Sequence, residues 1–140
     1  MPSFKYQEGK SFLFGTIKRP LVEIEIEIYS AKSEKWISIS DVLADTGANI
    51  CLLPRFIGDL LVENTTAGIY KEIRGVVPNT FLNGFIHNLK IKIADYEFIA
   101  PVFIADSDNV TPILGRNESL DLFEACFDGE VTSIQDKNKN

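Results

Sequence analysis

Three consecutive residues, Asp45-Thr46-Gly47, hold the combination of groups in this 140-residue chain that most suggests chemistry. The apolar run Val42-Leu43-Ala44 leads into them, and Ala48, Asn49 and Ile50-Cys51-Leu52-Leu53-Pro54 follow. A strand ending in an acid, a hydroxyl and a glycine sets a carboxylate at the margin of a core, where partial burial governs whether it holds a proton. Thr46 can hydrogen-bond locally, and Gly47 lets another backbone come close. A plain strand-to-turn junction uses the same letters, since Asp and Gly are ordinary turn residues. The second site element shifts the balance: Pro112-Ile113-Leu114-Gly115-Arg116-Asn117 is again an apolar strand ending in glycine, followed by a short helical pattern.

Other constellations offer less. His87 is the single histidine, so a Ser-His-Asp triad would have to use it, and no Gly-x-Ser-x-Gly elbow is present. It reads as a surface strand residue. One histidine and two distant cysteines, Cys51 and Cys126, lack zinc-ligand spacing, so no metal is expected. Without a phosphate loop or dinucleotide fingerprint, no cofactor is expected either. Each cysteine reads as a small buried hydrophobe, and two are too few for a disulfide framework. The net charge is −6, with 14 Lys and Arg scattered among 20 Asp and Glu, which argues against a nucleic-acid surface. No apolar run approaches a membrane span, and no basic region precedes an apolar core at the N-terminus. A cytoplasmic, non-membrane protein is the expectation.

The elements that must position Asp45 are mostly strands. Val22-Glu23-Ile24-Glu25-Ile26-Glu27-Ile28 alternates apolar and acidic residues, so the isoleucines face a core and the glutamates face water. Trp36-Ile37-Ser38-Ile39-Ser40 leads into the Asp45 strand. Leu89-Lys90-Ile91-Lys92-Ile93 alternates again, and Glu97 to Ile104 is a further strand, with Pro101 at an edge or bulge. Ile73 to Phe81 reads as a hairpin arm turning near Pro78-Asn79. Pro54 to Leu61 predicts a short helix with proline near its start, and Asn117 is placed to cap a second one over Glu118 to Ala125. A single domain of 1–140 follows, with a core over about 18–128 and a polar, frayed tail over 129–140.

The Asp-Thr-Gly loop together with the Ile-Leu-Gly-Arg-Asn segment, and Arg19-Pro20-Leu21-Val22-Glu23-Ile24 before them, resembles the retropepsins, single-domain aspartic peptidases of retroviruses and their cellular relatives. The likeness spans roughly residues 18 to 128. The Met1 start, Phe4-Lys5-Tyr6 and the ending Leu122 to Asp128 look more like a stand-alone prokaryotic member than a fragment of a viral polyprotein. The resemblance implies an all-β fold: a closed acid-protease barrel with a flap hairpin over Ile73 to Phe81 and a short C-terminal helix. It also implies that Asp45 is catalytic within the loop Thr46, Gly47 and Ala48, with Gly115, Arg116 and Asn117 as support beneath. Thr46 would lock the loops of two subunits together, and Gly47 and Asn49 would contact the substrate backbone. Many retroviral members pair an acid at the Asn49 position with the arginine at 116, and this chain has a neutral amide there. Leu43, Ala48, Ile50, Val76, Val77 and Ile113 are the apolar candidates for pocket walls.

Aspartic-peptidase chemistry needs two carboxylates that share a proton, and the chain has one Asp-Thr-Gly. Asp45 of two chains must therefore meet across a two-fold axis, which makes a homodimer acting on a peptide or protein the leading expectation. A dimeric binding or regulatory module that keeps the fold without proteolysis is the alternative, because fold alone does not fix function.

Overall fold

Period-two patterning produces the expected strands, and their pairing carries the site. The computed structural model describes residues 3–5, 7–11, 15–19, 24–74, 81–93 and 95–137. Three short strands come first: β1 (Ser3–Lys5), β2 (Gln7–Ser11) and β3 (Gly15–Arg19). Then follow β4 (Ile24–Ser30), β5 (Lys35–Ala44), β6 (Cys51–Leu53), helix α1 (Arg55–Leu61), β7 (Ile69–Arg74), β8 (Phe81–Ile93) and β9 (Tyr96–Ala105). The two-residue β10 (Ile113–Leu114), β11 (Phe123–Phe127) and β12 (Val131–Asp136) complete the order.

Seven strands form one sheet in the order β4-β5-β10-β6-β9-β8-β7. The long β8 serves two neighbours on one side, pairing β7 through Phe81 to Ile86 and β4 through Ile91 to Ile93. That second pairing curls the sheet back toward its first strand, giving a half-barrel. Ile26, Ile28, Leu53, Leu89, Ile91, Ile93 and Val102 fill the inside, each buried. Glu27, between two buried isoleucines, turns outward and meets Lys92 at 3.5 Å, as the alternation predicts. Pro101 sits where β9 gains its second neighbour: β8 pairs it throughout, and β6 joins only from Val102. A missing N–H is tolerated at that margin.

Helix α1 starts after Pro54, as read from sequence, and it lacks a cap of its own. The cap comes from far along the chain: the Phe56 N–H donates to Asp108 Oδ1 at 3.0 Å, a contact worth about 1 kcal/mol. Arg55 pairs with Asp106 and reaches Asp59, so this acidic cluster is occupied in holding the helix.

The C-terminal third departs from expectation. No helix covers Glu118 to Ala125. Glu118 takes a left-handed backbone with φ 53°, which stops a helix at its outset, and only a 3₁₀ turn forms at Leu120–Leu122. Phe123 then opens β11, which pairs along its whole length with β12, and β12 in turn pairs β1. The polar tail is thus no frayed end as far as Asp136, and Ile134 is buried in the common core. Phe123 packs edge-on against Tyr96 at 5.5 Å and Phe98 at 5.6 Å, docking this small sheet on β9. Cys126, expected to be buried, lies exposed on β11, whereas Cys51 is buried as expected.

Candidate functional site

The loop holding Asp45 runs from β5 to β6, and β10 lies between those two strands. It pairs β5 in parallel through Ile113 with Leu43 and Leu114 with Ala44, and it pairs β6 antiparallel through Ile113 with Leu52. The segment ending in Gly115-Arg116-Asn117 is therefore threaded directly beneath the loop. Hydrogen bonds join the two at each step: Leu43 N–H donates to the Pro112 carbonyl at 2.9 Å, and Asp45 N–H to that of Leu114 at 3.1 Å. Farther along, the Arg116 N–H donates to the Ala48 carbonyl at 3.0 Å and the Asn117 N–H to that of Asn49 at 2.9 Å.

Gly115 is buried where the segments cross, and a Cβ there would overlap the backbone carbonyl of Ile50. Only glycine allows that approach. Within the loop, Asp45 Oδ1 accepts the Gly47 N–H at 2.8 Å and the Asp45 carbonyl accepts the Ala48 N–H at 3.1 Å. One carboxylate oxygen is thereby fixed by the backbone while the side chain stays half-buried. Thr46 is exposed, and its hydroxyl has no hydrogen-bond partner among the described residues.

Arg116 donates through Nη2 to Asn49 Oδ1 at 2.9 Å, both side chains being exposed. A hydrogen bond from the charged guanidinium to a neutral amide occupies the place where the resemblance leads one to look for an ion pair. Asn117 is exposed and caps no helix. Leu43 and Ile113 are side-by-side partners on the half-buried face of their strands, as are Ile113 and Leu52. Leu52 was not singled out from sequence, because only the β6–β10 register places it in this apolar row. Ala48 and Ile50 are half-buried at the loop's far end. Val76 and Val77 lie outside the described residues. Their neighbours Ile69–Arg74 and Phe81–Ile86 form an antiparallel hairpin.

Just past the loop, Cys51 is enclosed. Burial pushes its thiol up, outweighing the lowering effect of the neighbouring Ser119 side chain and Gly115 backbone. A thiol held protonated is a poor nucleophile. His87 is half-buried on β8, with Nε2 2.6 Å from the Thr65 carbonyl. A carbonyl only accepts, so Nε2 carries the hydrogen and His87 ties the Thr65 turn to the sheet. Among the described residues no His, Cys, Asp or Glu side chains gather into a group able to hold a metal, and no helix is long and apolar enough to cross a membrane. The site's inventory is one carboxylate on a backbone-braced loop, a free hydroxyl beside it, a cation bonded to the end of the loop and an apolar row alongside. Comparison with protein-family models and with curated proteins gives no match.

Proposed function

We propose that this chain is an aspartic endopeptidase of the retropepsin type, active as a homodimer. The observation that supports the reading most is the crossing beneath Asp45, where β10 lies between the strands on either side of the loop and Gly115 packs on Ile50. Neither motif needs the other if each is an ordinary turn. On this reading the curled sheet closes into a barrel and the Ile69–Ile86 hairpin is a flap over bound peptide, excluding water as it closes.

Two Asp45 carboxylates, one from each subunit, share a single proton. The ionised one takes a proton from water as that water attacks the scissile carbonyl; the protonated one polarises the carbonyl oxygen. Collapse of the tetrahedral intermediate returns a proton to the departing amine. Water attacks directly, so no acyl-enzyme forms, and neither Cys51 nor a serine is required. The unpaired Thr46 hydroxyl is free to bond across the two-fold axis. Leu43, Leu52 and Ile113 form apolar walls that gain about 25 cal/mol per Å² of substrate surface they bury, so peptides with Leu, Phe or Met flanking the cut are the substrate class. The two free thiols support a reducing compartment, and we place the protein in the cytoplasm on that ground.

Digestion of an unbiased peptide library at acidic and neutral pH tests the reading. The protein is expected to cut between apolar residues, and Asp45→Asn, nearly isosteric, to lose about a thousandfold in rate or more. Cleavage by Asp45→Asn at the original rate would overturn it. Peptide binding with no cleavage by either form would favour the binding-module alternative.

A further inference from the structure

Beside the Asp45 loop lies a cation, Arg116, that forms no ion pair with a carboxylate among the described residues. Arg116 is exposed, and the ion pairs among the described residues join Arg55 to Asp59 and Asp106, and Lys92 to Glu27, leaving Arg116 out. A guanidinium only donates, so the atom Asn49 turns toward Arg116 has to be its carbonyl oxygen. The Asn49 NH₂ is the end left over, and it has no hydrogen-bond partner among the described residues. Backbone bonds from Arg116 to Ala48 and from Asn117 to Asn49 fix the spacing of the two side chains. A positive charge and a neutral donor are thus held together and exposed, with Asn49 four residues past Asp45.

We propose that Asn49 and Arg116 form an acid-recognising subsite of the Asp45 groove. The ligand is an extended peptide with an Asp or Glu side chain two to four positions from the centre of the bound segment. Its carboxylate accepts from Asn49 Nδ2 and from the guanidinium N–H groups that Asn49 does not use. An arginine fork suits this, because planar, charge-assisted donors match a carboxylate. The identification of that centre with a scissile bond rests on the peptidase reading; the binding preference does not.

The test uses the Asp45→Asn protein, so that bound peptide is held uncut. Probes are end-capped, labelled decapeptides centred on Leu-Phe, with Glu or its isostere Gln at the second, third or fourth position on either side. Fluorescence anisotropy gives Kd for each pair. At one or two positions the Glu peptide is expected to bind about three- to fivefold tighter than the Gln peptide, the size of an exposed ion pair, and added salt should shrink the advantage. Asn49→Asp, made in the same background, supplies Arg116 with an internal carboxylate and should erase or reverse the preference while leaving Arg116 in place. Equal affinities at every position, no binding of any probe, or an unchanged preference in Asn49→Asp would overturn the proposal. Digestion of the same peptides by the unmodified protein reports separately on the peptidase reading. Preference without cleavage removes that reading and keeps the subsite; cleavage without preference does the reverse.

Discussion

The Asp45 loop and the β7–β8 hairpin are both short excursions from one sheet, yet they are held in opposite ways. Four hydrogen bonds tie the loop region to a segment far along the chain, from Leu43 with Pro112 to Asn117 with Asn49, and Gly115 closes the crossing without room for a methyl group. The hairpin is built on its ladder to β8, and all six residues of β7 are exposed, including Ile69, Tyr70 and Ile73. On the proposed reading, a carboxylate that must meet its reactants within a fraction of an ångström belongs on the braced element. Exposed apolar residues on a strand at the sheet's edge belong where something covers them, since an open edge otherwise invites unwanted pairing. One region is specified by contacts within the chain; the other retains surface for contacts beyond it.

This contrast can be broken most sharply at Gly115. In Gly115→Ala the new methyl meets backbone, which cannot rotate away as a side chain would, so the loop or β10 must move. A loss of about 2–3 kcal/mol in unfolding free energy is expected, read from the urea midpoint, with any peptide cleavage falling alongside. An unchanged midpoint would mean the crossing is looser than described. On the hairpin, Ile69→Thr keeps the β-branch and changes a side chain 64% exposed, so stability should shift by no more than about 0.5 kcal/mol. A drop as large as that of Gly115→Ala would show that Ile69 is already packed.

The elements bordering the site were readable to different degrees. Val22 to Ile28 announced β4 because one buried face and one wet face impose strict alternation, and Pro54 marked the start of α1. The two site motifs were visible as apolar strands ending in glycine. Their crossing was not, since β10 is only two residues long and takes its place from β5 and β6. Asn117 to Ala125 misled because acids early in a segment favour a helix N-terminus, while the left-handed backbone at Glu118 overrides that local preference. The better signal lay next door: Asp128-Gly129 between Phe127 and Val131 is a hairpin turn pair. Gly129 has φ 94°, and Asp128 Oδ1 accepts the N–H groups of Glu130 and Val131 at 2.8 and 2.7 Å, bonds that hold its carboxyl below its ordinary value. Asp108 capping α1 is a pairing across the fold that no local pattern encodes, and that of Asn49 with Arg116 was indicated only by the family resemblance.

The two thiols sharpen the comparison with the smallest effect. Cys51 is enclosed behind the braced loop and Cys126 lies open on β11. Titration of native protein with a thiol reagent at neutral pH should count one reactive group per chain, and a second only in denaturant. Two fast thiols, or none, would contradict the burial described. Because burial raises the Cys51 thiol, the folded state favours its protonated form. Its contribution to stability is complete below the ordinary thiol range and declines as pH rises from there through the raised folded value. Cys51→Ala should flatten that alkaline decline slightly.

The central claim is that Asp45 acts in pairs, one from each of two chains. Unfolding wild-type and Asp45→Asn proteins together in varying proportions and refolding them tests it directly, at a total concentration that keeps every chain paired. If both carboxylates are required, mixed dimers are inert and peptide cleavage falls as the square of the wild-type fraction. A linear fall, in which each wild-type chain contributes its activity whatever its partner, would contradict the shared dyad.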